Sequence, residues 1–189
     1  MAATGEVAPP GGYTISGSIT LAAAPADVVA WLATPELLDR WMLGVDGIEV
    51  MDEGRPVLGA RIRAVTSSGR HAGWIFSGEI VELSAQRVVR RYALDELSTG
   101  GVRLEADTSG YARTVTYDLT PAGDGRATQL RCTAVTVIPG LDAAGATAGA
   151  GKEQKTLDRS LERLEAEVAG RPRGLIGRFR DTGLAPAAF

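Results

Sequence analysis

Residues 17–41 read GSITLAAAPADVVAWLATPELLDRW, and the change of period inside this stretch sets how the rest of the chain is read. Its first residues continue an alternation that begins at Tyr13. Ile15, Gly17, Ile19 and Leu21 fall on one face, and Thr14, Ser16, Ser18 and Thr20 on the other, which is the period of a β-strand. The alternation stops at Ala24-Pro25. Proline suits the first turn of a helix, where its missing N–H leaves no bond unmade. Val28, Val29, Trp31 and Leu32 then supply the apolar side of a short helix. A second short helix is predicted over Pro35–Trp41 with Thr34 as its N-cap, and Gly44 and Gly47 end the helical region.

From there the pattern is that of antiparallel strands joined by turns. Candidate strands are Ile48–Met51, Ala60–Ser67, Trp74–Leu83, Arg87–Leu94, Arg113–Thr120 and Thr128–Ile138. Trp74, Phe76, Gly78 and Ile80 share one face of the third of these, and Val115, Tyr117 and Leu119 share one face of the fifth. Asp52-Glu53-Gly54, Ser68-Gly69 and Ser84-Ala85-Gln86 read as turns, and Ala122-Gly123-Asp124-Gly125 as a hairpin turn that needs positive φ. Residues 95–110 read as a long loop holding a short strand at Val102–Ala106. Pro139–Ala146 is a break. Over 147–169, Leu157, Leu161, Leu164 and Val168 recur at helical spacing, with Glu153, Lys155, Asp158, Arg159, Glu162 and Arg163 assigned to the wet faces. Gly170 and Pro172 stop that helix. The expected organisation is a disordered tail over 1–12, one domain over 13–169, and a basic flexible tail over 170–189.

Composition removes several kinds of function. The chain has 189 residues, 44% of them apolar, which is enough for one well-buried core. Its single cysteine excludes an intramolecular disulfide framework, and its single histidine excludes metal sites built on two or more histidines. A net charge of −3 speaks against a nucleic-acid-binding surface. No run reaches the roughly 18 apolar residues of a membrane span. The start lacks a secretory pattern, so the expected compartment is the cytoplasm, without stable membrane insertion. No G-x-G-x-x-G or P-loop pattern calls for a nucleotide cofactor, and none is expected.

The order of strand, two short helices, about six strands and a long C-terminal helix resembles the helix-grip fold of the START/Bet v 1-like (SRPBCC) superfamily. The stretch quoted above looks like that superfamily's opening, and YDLTPAGDGRATQLRC (residues 117–132) looks like its late hairpin, with Arg126-Ala127 as a departure at the turn. On length and opening motif the chain is similar to the polyketide cyclase/dehydrase-like branch. The resemblance implies an α+β fold in which a curved antiparallel sheet of about seven strands wraps a long helix. A ligand cavity is implied between the two, lined by apolar residues such as Val115, Leu119, Leu157 and Leu161. The oxygenases that share the fold hold iron with two histidines and a carboxylate, which this chain cannot supply.

Several residues are candidates for chemistry in such a cavity. The hydroxyls of Tyr117 and Tyr92 could hold a ligand carbonyl, or they are core aromatics. His71 is the side chain that titrates near neutrality without perturbation, and could serve as a base. Glu79 lies on the strand face opposite Trp74 and Phe76; it is a candidate base if buried, and otherwise a solvated charge. Trp74 and Phe76 are candidate pocket wall. Arg61 and Arg63 alternate with Ala60, Ile62 and Ala64, and would bind a carboxylate or polarise a carbonyl if they point inward. Cys132 reads as a small core residue. Two functions fit this set. One is a cofactor-independent cyclase or dehydratase acting on an apolar, carbonyl-containing, polyketide-like metabolite. The other is a carrier or sensor of a lipid, quinone or other hydrophobic small molecule. Either acts as a monomer or homodimer.

Overall fold

The computed structural model describes residues 11–45, 47–51, 57–66, 74–99, 102–104 and 108–170. His71, the turns at 52–54 and 68–69, and the tails 1–10 and 171–189 lie outside the described residues. The chain runs β1 (Gly12–Leu21), α1 (Pro25–Ala33), α2 (Pro35–Trp41), β2 (Ile48–Val50), β3 (Arg61–Val65), β4 (Ile75–Leu83) and β5 (Arg87–Thr99). It continues through β6 (Val102–Leu104), β7 (Ala112–Ala122), β8 (Ala127–Val137) and α3 (Ala143–Val168). The sheet order is β1-β8-β7-β5-β4-β3-β2, antiparallel throughout, with β6 pairing only β5. The first and last strands are therefore neighbours, and the long helix that follows β8 returns across β1. This is the helix-grip arrangement: a seven-strand curved sheet around a C-terminal helix.

The register aligns inward residues into rows across the sheet. One row runs Tyr13, Thr136, Arg113, Tyr92, Gly78 and Ile62. The next runs Ile15, Ala134, Val115, Arg90 and Ile80. Strand alternation thus places two arginines among buried aliphatic and aromatic side chains. Arg90 is fully buried, and its Nε and Nη2 donate to the carbonyls of Leu32 (3.3 Å each), with Nη2 also donating to Ala33 (2.8 Å). These are last-turn carbonyls of α1, a helix with no basic residue of its own there, so a strand supplies the cation that its C-terminus favours. Trp41 closes α2 onto α1 by donating from Nε1 to Trp31 O, and its ring meets Tyr117 edge-on at 6.3 Å.

The structure corrects the sequence reading at three places. The stretch read as a loop from 95 is the end of β5, paired with β6 from Leu97–Leu104 to Thr99–Val102. Its polar residues give no apolar alternation to detect. The helix begins at Ala143 rather than 147, capped by Asp142, whose side chain accepts from Gly145 N at 2.7 Å. Its first turns are alanine, glycine and threonine, which lack a stripe but let the helix approach β1. A Cβ on Gly149 would stand 3.0 Å from the Tyr13 ring. Thr34 stands between α1 and α2 as expected, but its side chain makes no capping bond.

Gly78 matters for packing, since a Cβ there would lie 2.6 Å from its cross-strand neighbour, the Tyr92 ring. Gly78→Ala is expected to destabilise the fold by about 1–3 kcal/mol, because a buried ring must leave its rotamer. Urea denaturation checks this, and an unchanged midpoint would show that the ring is free to move.

Candidate functional site

Between the sheet and α3 lies a cavity whose walls come from four parts of the chain. Arg113, Val115 and Tyr117 line it from β7, and Cys132 and Ala134 from β8. Glu153, Thr156, Leu157 and Ser160 line it from α3. Trp41, Met42 and Leu43 cover it from the end of α2. The cavity offers about 40 Å³, room for a few waters. A drug-sized ligand fills roughly 300–1,000 Å³, so such a ligand requires the walls to part. The cover is tied to α3: Leu43 N donates to Ser160 Oγ at 3.2 Å, and Arg40 of α2 pairs with Glu167.

The polar end of the cavity is built on a buried ion pair. Arg113 Nη1 donates to Glu153 Oε2 and to Thr136 Oγ1 (2.9 Å), while the Tyr13 hydroxyl donates to Glu153 Oε1 at 2.6 Å. Arg113, Thr136 and Tyr13 share one row of the sheet, and Glu153 reaches that row from one turn before Leu157 on the helix. Burial alone opposes the Arg113 charge. The facing Glu153, with Tyr111 and Tyr13, outweighs it and raises the guanidinium pKa above its ordinary value. Burial pushes the Tyr13 hydroxyl up, and the Glu153 charge pushes it further; burial does the same to Tyr111, Tyr92 and Tyr117. The Cys132 thiol is pushed up to about 12, mainly by burial, so at neutral pH it is a protonated wall residue and not a nucleophile.

The sequence-predicted residues scatter across this map. Tyr117, Val115 and Leu157 line the cavity. Tyr92 is buried in the row of Arg113 but off the cavity wall. Phe76, Leu119 and Leu161 are core: Phe76 stacks near Tyr111 at 5.6 Å, and Leu161 fills the space left by Gly17. Trp74 is half-buried against Phe76. Three charges fall outside the cavity. Glu79 and Arg61 are exposed and face each other across β3 and β4, while Arg63 pairs with Glu49 at 3.1 Å near the sheet edge. Their strand positions alternate with the inward Ile62, Ala64, Gly78 and Ile80, so parity alone turns them to the outer face.

Sequence reasoning missed Arg113, Glu153 and Arg90. The signal was present in each case. Arg113 has the parity of Val115 and Tyr117, and Glu153, expected on a wet face, stands four residues before Leu157 in line with the apolar stripe. Arg163, also assigned to a wet face, is buried as well.

Residues 13–169 match the family described as polyketide cyclase / dehydrase and lipid transport. The chain belongs to that family. Among solved structures it is similar to the Mll3558 protein from Rhizobium loti, at 25% identity and TM-score 0.57, over 82% of this chain and 96% of that one. A START superfamily protein from Mycobacterium smegmatis shares the fold at 14% identity and TM-score 0.58, over 84% and 99%. Ara h 8.0201 shares it at 14% identity and TM-score 0.55, over 85% and 100%. No curated protein matches the chain. Among the described residues of this family member, no cluster of three metal-ligating side chains occurs, and no helix is long and apolar enough to cross a membrane.

All four tyrosines and the cysteine are held protonated in the fold, whereas in the unfolded chain they titrate near 10.0 and 9.0. Above about pH 9 the unfolded state therefore binds fewer protons than the native state, and stability falls as pH rises. Tyrosinate absorbance is expected to appear only with the loss of native circular dichroism; gradual ionisation in the intact fold would contradict these environments. Arg113→Met and Glu153→Met are each expected to cost about 3–5 kcal/mol, since each leaves a lone buried charge, while the double variant costs much less than their sum. Additive losses in a denaturation cycle would show that the two groups do not act as a pair.

Proposed function

We propose that this chain is a cofactor-independent enzyme of the cyclase or dehydratase type. Its substrate would be an apolar, carbonyl-containing, polyketide-like molecule held between the sheet and α3. The observation that carries this reading is a mostly apolar cavity that ends on the buried Arg113–Glu153 pair. An ion pair in this position is a poor source of stability, because desolvating two charges offsets much of their attraction. Its position on the cavity wall gives it a chemical use instead.

The chemistry follows from the groups present. A substrate carbonyl oxygen placed against Arg113 would have its developing enolate charge stabilised in a low-dielectric site. Glu153 would accept the proton from the carbon next to that carbonyl. The enolate carbon would then attack a second carbonyl of the same chain, forming a carbon–carbon bond, and the new alkoxide would take back the proton from Glu153; elimination would then break the C–OH bond and an adjacent C–H bond, releasing water and leaving a carbon–carbon double bond. Tyr117, kept protonated by burial, acts as a hydrogen-bond donor to the second oxygen and not as a base. The apolar walls of Val115, Ala134 and Leu157 would hold the substrate folded, converting reach into proximity. Glu79, a candidate base only if buried, is exposed, and Glu153, which is buried, takes the role of base.

One observation favours a carrier instead: both Glu153 oxygens are engaged, one by Tyr13 and one by Arg113. A pair so satisfied can recognise a polar head group without taking a proton. The two readings separate in one assay. A linear poly-β-ketone thioester is incubated with the protein and the products are weighed by mass spectrometry. The enzyme reading expects a cyclised product lighter by one water, with the rate falling at least tenfold in Tyr117→Phe and further in Arg113→Gln/Glu153→Gln. Product no faster than in buffer, with the intact thioester retained in native mass spectra, would leave the carrier reading.

A further inference from the structure

On the inward face of the sheet, Arg90 and Arg113 are both buried. The Glu153 carboxylate is engaged by Arg113 and Tyr13. Among the described residues, Arg90 pairs with no carboxylate. It has the carbonyls of Leu32 and Ala33, and its Nη1 has no hydrogen-bond partner among the described residues. The end of α1 offers it only about half a negative charge.

Among the described residues, no side chain on this face supplies Arg90 with a negative charge. Tyr13, Tyr92, Tyr111, Tyr117 and Cys132 surround the arginines and stay protonated at neutral pH. Arg90 and Arg113 are also close in the sheet. Arg113 pairs with Tyr92 and Arg90 with Val115, so the two arginines occupy diagonal positions, roughly 7–8 Å apart at the backbone. Val115 and Arg113 both line the cavity. An uncompensated cation in a dry interior is costly, and an anion brought into its field removes that cost.

We propose that the ligand of this cavity carries an acidic oxygen, a carboxylate or a readily formed enolate, and binds as its anion beside Arg113 in the positive field that Arg90 completes. The inference rests on the reading of the cavity as a small-molecule site and narrows that reading to acids. It also orients the ligand: the anionic end meets the Arg113 row, and the apolar body lies toward Leu157 and Met42.

The test compares 2-naphthoate with 2-naphthamide, which have the same ring and nearly the same shape and differ in charge. Calorimetry on the wild-type protein is expected to give at least tenfold tighter binding of the acid. That preference should shrink as pH falls through the acid's own pKa. It should also fall at least fivefold in Arg90→Gln while persisting in Arg90→Lys. Arg113→Gln/Glu153→Gln, which removes the pair without leaving a lone charge, should abolish it. If Arg90→Gln does not fold, the wild-type ratio and its pH dependence still decide. Equal binding, or preference for the amide, overturns the inference and leaves the cavity reading standing. If neither probe binds, the cavity reading falls and this inference with it.

Discussion

The contact between Arg113 on β7 and Glu153 on α3 is the constraint on which the rest of the interior depends. It joins the two layers of the fold at the point where the cavity begins, and it draws Tyr13 and Thr136 into the same hydrogen-bonded group. Apolar side chains alone could close this gap, as Leu161 does where it fills the space over Gly17. A charged pair holds the layers together without filling the space beside it. Its members must also stay where they are, because separating them leaves a buried charge alone.

Other features are arranged around that pair. The small residues in the first turns of α3 bring Glu153 close enough to reach β7, with Gly149 against the Tyr13 ring marking the closest approach. Arg90 fixes the end of α1, which positions α2, whose last residue and its successors cover the cavity. The contacts that hold the cover include a backbone hydrogen bond to Ser160 and an ion pair to Glu167, both on the same helix that carries Glu153. This packing leaves the cavity about 40 Å³.

Most of the fold could be read from the sequence because its signals are local. The alternation of Ile15 to Leu21, the Pro25 helix start, the Asp124-Gly125 turn and the Leu157–Leu161–Leu164 stripe each report their own element. The site was harder to read because its groups are brought together by register. Arg113 and Glu153 are 40 residues apart, and Tyr13 and Glu153 are 140 apart. The general expectation that charged side chains face water holds for Glu79, Arg61 and Arg63 on the outer face. It fails for Arg90, Arg113 and Glu153, whose parity already matched the apolar neighbours on their own elements. The rule of alternation was therefore a better guide to their position than their charge was. The tail arginines and His71, which lie outside the described residues, play no part in this account.

The central claim is that this family member receives a small molecule at the Arg113 end of the cavity between the sheet and α3. Side-chain nuclear magnetic resonance of the arginine Nε–H groups tests it most directly, recorded while an aromatic acid is titrated into labelled protein. The account predicts that the Arg113 resonance shifts first and furthest, that Arg90 follows, and that Arg61 and Arg63 on the outer face stay still. Shifts confined to Arg61 and Arg63, with Arg113 and Arg90 unmoved at saturation, would place the ligand outside the cavity and contradict the account.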